Sequence, residues 1–149
     1  MPPPAAATAT LDSATAAVLF AAGLIFLFAL LLGIWKYRQM TTSQNHLAHP
    51  YVDIAHRAAL LYSFATAMIA AFVHFSDFSD SVNLTAAFVM IFYFVAAIVS
   101  YAVHGALRDT DNQLRDTVPG THLFFWTLVA GEVGGFAVLL AGFAQGQIF

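Results

Sequence analysis

The sequence predicts an all-α integral membrane protein: one domain, a four-helix bundle, with both termini on the non-cytoplasmic side. Three observations predict it. Of 149 residues, 60% are apolar and 9% charged, with a mean hydropathy of +0.78. A soluble domain carries about a quarter charged residues. Four apolar runs each reach the roughly 20 residues that a helix needs to cross a bilayer core. Finally, the basic residues gather beside alternate ends of those runs.

The first span runs from about Ser13 to Trp35, with Asp12 or Ser13 as its N-cap, after a flexible leader over 1–12 that holds no Lys or Arg. The second runs from about Ile54 to Phe75 with Asp53 as cap. The third covers Val82 to His104, capped from Asp80-Ser81. The fourth covers Thr121 to Phe143, after Pro119-Gly120 breaks the chain.

All five basic residues (Lys36, Arg38, Arg57, Arg108 and Arg115) lie in or beside the loops after the first and third spans. The link between the second and third holds Asp77 and Asp80 and no cation. Positive charge marks the cytoplasmic side, so both long loops are expected there. Trp35-Lys36-Tyr37-Arg38 reads as an interface anchor. Five cations are too few to neutralise a run of phosphates, which argues against nucleic-acid binding. With no cysteine, disulfides, thiolate metal sites, iron–sulfur clusters and covalent haem attachment are excluded.

His56, His104 and His122 mark the cytoplasmic ends of three spans. Each alone can be an amphipathic end reaching for water. Three at one level point to a convergent site. His56 and His122 are expected at helix N-termini, where the dipole disfavours imidazolium and leaves a lone pair for a metal. His104, at a C-terminus, suits proton donation. His56 is the better ligand, because Asp53 one turn back is expected to orient its ring. No HExxH spacing supports a conventional zinc site. His46 and His49 form a weaker loop pair.

Glu132 is expected near mid-membrane, about 16 Å down the fourth helix at the helical rise. A carboxylate there is expensive and marks function by default; the alternative is a protonated acid bonded to a neighbouring hydroxyl, with Tyr93 and Thr66 at similar depth. Gly131, Gly135, Gly142 and Gly146 make a stripe, its first and last pairs at GxxxG spacing, for close helix packing within the chain or between protomers. Tyr62 and Tyr101 lie below the cytoplasmic interface, where a phenol can donate to an electrophilic oxygen.

Ala55-His56 opening the second span, Tyr101 near the end of the third, Asn112-Gln113-Leu114 in the next link and Pro119-Gly120 before the fourth form a pattern. It resembles that of small four-span bacterial membrane enzymes of the styrene oxide isomerase and hydroxylaminobenzene mutase type. The resemblance implies a homo-oligomer, a trimer, in the bacterial inner membrane with haem b between protomers. His56 would be its iron ligand, and the ferric iron a Lewis acid that opens a small apolar epoxide. Tyr101 would hold the substrate oxygen. The family's asparagine six residues after the histidine falls on Tyr62 here; either the phenol takes over that contact or the pocket serves another substrate. A haem-binding electron-transfer or sensor protein and a haem-free structural or accessory protein are the alternatives.

Overall fold

The computed structural model describes residues 10–117 and 119–149, so most of the leader expected over 1–12 lies outside the described residues. Among the described residues the chain forms four helices and no strand: α1 (Ser13–Thr42), α2 (Pro50–His74), α3 (Asp80–Leu107) and α4 (Thr121–Gln147). All four are long and apolar enough to cross a membrane.

α1 starts where expected, its cap Asp12 accepting the Thr15 N–H at 2.7 Å. It continues past Trp35 to Thr42 because nothing in Lys36-Tyr37-Arg38-Gln39-Met40 breaks a helix. α2 corrects the sequence reading. It begins at Pro50 rather than Ile54, so Asp53 sits inside the first turn instead of capping it. The cap is His49, whose ring accepts the Tyr51 N–H at 3.3 Å. Proline at the first helical position has its φ preset and lacks an N–H that would need a partner. His56 therefore lies in the second turn, beyond the reach of a dipole effect that decays within the first. α3 starts at Asp80 with Ser79 as cap and ends on Arg108 in the left-handed region at φ 54. Gly120, at φ 94, supplies the turn into α4, which runs to Gln147 rather than Phe143.

Neighbours in sequence are neighbours in space: α1 packs on α2, α2 on α3 and α3 on α4, while α1 and α4 do not touch. Ala14, Val18, Ala22, Ile25, Ala29 and Leu32 form the buried face of α1 at steps of three and four residues, the spacing of a helix-packing seam. Small residues dominate where α1 meets α2, with Ala55 and Ala59 fully buried. Small side chains let the two backbones approach closely, as membrane-spanning helices do. Large apolar side chains such as Phe20, Leu24, Leu61, Phe64 and Phe92 point outward, as on a surface solvated by lipid.

The α4 glycine stripe is used within the chain. Gly131 faces the Tyr93 ring, Gly135 faces Met90 and the Ala86 carbonyl, Gly142 faces Ser76 and Phe78, and Gly146 faces the Phe75 carbonyl and Asp77. The α2–α3 link is tied down there as well. The Asp77 N–H donates to the Gly142 carbonyl at 3.0 Å, and buried Asn83 donates to the Phe78 carbonyl at 2.9 Å and accepts from Ser76 Oγ at 2.9 Å. At the same end His74 Nδ1 meets Asp12 Oδ2 at 3.1 Å, joining the end of α2 to the start of α1.

Candidate functional site

The opposite end of the bundle carries the basic residues, and two structures stand there side by side. The first is the α1–α2 seam. His56 Nδ1 lies 2.9 Å from the Ala29 carbonyl oxygen. A carbonyl only accepts, so Nδ1 carries the proton in that bond and Nε2 is left as the nitrogen with a lone pair. The ring fits because position 33 is glycine: a Cβ there would stand 2.9 Å from Cε1 and 3.3 Å from Nδ1. Asp53, expected to orient this ring, instead bridges Lys36 Nζ at 2.5 Å and Arg57 at 2.9 Å. The physical reason is charge. A carboxylate between two cations satisfies both, and a backbone carbonyl one turn deeper is free to hold the imidazole.

The second structure is a cavity of about 600 Å³ between α3 and α4. Ala96, Ala97, Val99, Phe124, Phe125 and Leu128 make its apolar walls, while Ser100, Tyr101, His104, Gln113, Asp116 and Thr121 line it with polar groups. The Tyr101 hydroxyl makes no hydrogen bond among the described residues. Its ring stacks on Tyr51 with centroids 5.9 Å apart, and Tyr51 packs against His104 at 5.3 Å. The Tyr51 hydroxyl accepts the Gln113 N–H at 2.6 Å, fastening the α3–α4 loop to α2.

That loop is charged and internally bonded. Thr110 Oγ1 donates to Asp116 at 2.6 Å, and Arg115 bonds both Asp111, at 2.6 Å, and Asp116. The Arg115 guanidinium, followed by the Thr110 hydroxyl, holds the Asp116 carboxyl below its usual range. His104 Nδ1 lies 2.9 Å from Asp109 Oδ1, and that bond lowers the Asp109 carboxyl in the same way.

The residues singled out in the sequence therefore divide. Tyr101 and His104 share the cavity. Tyr62 stacks on Phe94 across the α2–α3 contact, centroids 4.3 Å apart and rings within 8° of parallel. Glu132 sits partly buried on α4. Its Oε1 is buried and without a hydrogen-bond partner among the described residues; Thr66 Oγ1 donates to the Tyr62 carbonyl at 2.7 Å and Tyr93 packs on Gly131. His122 is exposed on the first turn of α4 and lies outside the cavity. His46 is exposed with φ 55, apart from the capping role of His49. His56 opens onto the α1–α2 seam and does not line the α3–α4 cavity.

Gly33 and Tyr51 escaped the sequence reading. Gly33 is the one non-bulky residue in a run of leucines and isoleucine, a signal that something approaches the backbone there. Tyr51 follows Pro50, and reading that proline as a helix start would have turned the tyrosine inward.

Among the described residues no group of three or more His, Asp or Glu side chains converges on a metal position. A single imidazole nitrogen suits a metal that brings most of its own ligands, as in a haem, and does not suit a bare divalent ion. No family model matches the chain, and neither a curated protein nor a solved structure matches it.

Proposed function

We propose that the chain is a membrane-embedded isomerase of the styrene oxide isomerase type, acting on a small apolar epoxide with haem b held by His56. One observation carries this reading. The hydrogen bond from His56 Nδ1 to the Ala29 carbonyl, 2.9 Å long, supports the tautomer whose lone pair sits on Nε2, the nitrogen that would ligate the iron. Ferric haem, when bound, supplies Lewis acidity toward an epoxide oxygen. The chain supplies the rest. Gly33 admits the imidazole to the seam, and Ala29 holds its orientation. The Tyr101 hydroxyl, among mostly apolar cavity walls, donates to the substrate oxygen as charge builds on it. The apolar walls keep water from the reacting carbon.

The His56 seam and the Tyr101 cavity open on different helix pairs of one chain. The reading therefore includes a homo-oligomer, a trimer by resemblance, in which the seam of one copy faces the cavity of the next. It also sets the chain in a bacterial inner membrane, basic end in the cytoplasm and both termini outside, on the strength of the charge asymmetry.

An absorption spectrum of detergent-purified protein tests this. The expected result is a Soret band that His56→Ala abolishes and Tyr101→Phe keeps, with Tyr101→Phe slowing epoxide turnover. Protein that stays colourless once unbound porphyrin is removed after incubation with excess hemin would overturn it.

A further inference from the structure

The Lys36–Asp53–Arg57 ladder has no part in the chemistry above, yet it stands on the same seam as His56. Lys36 follows Gly33 by three residues on α1, and Asp53 precedes His56 by three on α2. The ladder thus lies one helical turn, about 5 Å, nearer the basic end. Asp53 holds Lys36 Nζ at 2.5 Å and Arg57 at 2.9 Å. Two cations against one carboxylate leave one positive charge unmatched. The Arg57 side chain is 64% exposed and retains N–H donors that Asp53 does not use. An ordinary interface anchor swings freely on its stem, whereas Asp53 holds Lys36 across the α1–α2 contact and Arg57 on its own helix, one turn on.

We propose that Lys36 and Arg57, positioned by Asp53, bind the carboxylate arms of the tetrapyrrole whose iron His56 ligates; the proposal rests on the haem reading above. A macrocycle bonded at Nε2 would be free to turn about that bond, with both of its acid arms on one edge. Turned toward the basic end, that edge would find two cations one turn away. Turned the other way, it would find the stretch of α1 from Ala22 to Leu32, which carries no Lys or Arg. Carboxylate–guanidinium bonds are charge-assisted and directional, so the ladder selects one orientation and adds affinity that the axial bond lacks.

The test titrates full-length protein in zwitterionic nanodiscs with hemin and with hemin dimethyl ester, whose arms are uncharged, reading the Soret band. Wild type is expected to bind hemin about tenfold more tightly than the ester. Arg57→Gln and Lys36→Gln are expected to lose that preference by weakening hemin alone, and unchanged ester binding shows that each variant is folded. Arg57→Lys should recover part of it. Equal affinity of wild type for the two porphyrins overturns the proposal while leaving His56 ligation intact, and makes the ladder a lipid-headgroup anchor. A Soret band that neither porphyrin shifts from its position in empty nanodiscs overturns the haem reading, and this proposal with it.

Discussion

The His56 imidazole rests against Gly33: a Cβ at that glycine would stand 2.9 Å from the ring's Cε1, so the histidine is seated by the absence of a side chain on the facing helix. A methyl added there would overpack the seam and force side chains or backbone to move. The ring moves most easily, since α1 and α2 are held by their whole length. Gly33→Ala is expected to push the imidazole off the Ala29 carbonyl, weakening hemin binding at least tenfold while costing about 1–3 kcal/mol of stability. Hemin titration beside thermal unfolding checks it; unchanged hemin affinity would mean that the Ala29 bond does not set the ligand.

Tyr51→Phe removes the hydroxyl that accepts the Gln113 N–H at 2.6 Å. Its stacking on Tyr101 should survive, so the loss is confined to one hydrogen bond, about 1 kcal/mol. Hydrogen exchange at the loop backbone around Gln113 should accelerate while α2 and α3 stay protected. If protection is lost along α2 instead, Tyr51 matters through packing and not as a tether.

The four helices were legible because each is a long apolar run with few charges, and Asp12 was legible as a cap because its own side chain does the work. The start of α2 was not. Asp53 has the right chemistry for a cap, but Pro50 fixes the backbone earlier and turns Asp53 into a bridge between Lys36 and Arg57. The histidines at the basic end were visible as a group, yet only His104 lines the cavity with Tyr101. His56 and Tyr62 are six residues apart, about 120° around the helix at 3.6 residues per turn, so one cannot face α1 while the other faces the same partner. Pairing across helices, such as Gly33 with His56 or Gln113 with Tyr51, has no local signature to read.

The glycines of α4 separate packing from propensity. Gly142 has Ser76 and Phe78 where a Cβ would go, whereas Gly134 has nothing within 4 Å. Gly142→Ala is expected to destabilise by about 1–3 kcal/mol, and Gly134→Ala to stabilise by about 0.5–1 kcal/mol through helix propensity. Thermal unfolding in detergent decides it, and equal effects at both sites would mean that α4 does not pack on the α2–α3 link.

Glu132 carries a buried oxygen with no partner, a cost unless the group has a task. Glu132→Met should stabilise by about 1–3 kcal/mol, since it removes the unpaired oxygen and nearly conserves volume. Turnover measured on the same variant assigns the residue: full activity makes the carboxyl a bystander, and lost activity with raised stability makes it functional.

Acid should loosen the end of the bundle where Asp12 caps α1. The Thr15 N–H is the main cause of a carboxyl lowered from 3.8 to about 2, with His74, 3.1 Å away, a smaller one. The folded value lies below the unfolded one, so the ionised cap contributes stability that is fully present above about 4 and is lost as pH falls toward 2. Asp12→Asn keeps a capping oxygen but cannot ionise, so its thermal midpoint should be flatter across that window than the wild type's. Asp12→Ala should lower stability at neutral pH by about 1 kcal/mol. Parallel acid dependence in wild type and Asp12→Asn would locate the acid-sensitive carboxylate elsewhere, with Asp109 and Asp116, both lowered by their partners in the α3–α4 loop, next in line.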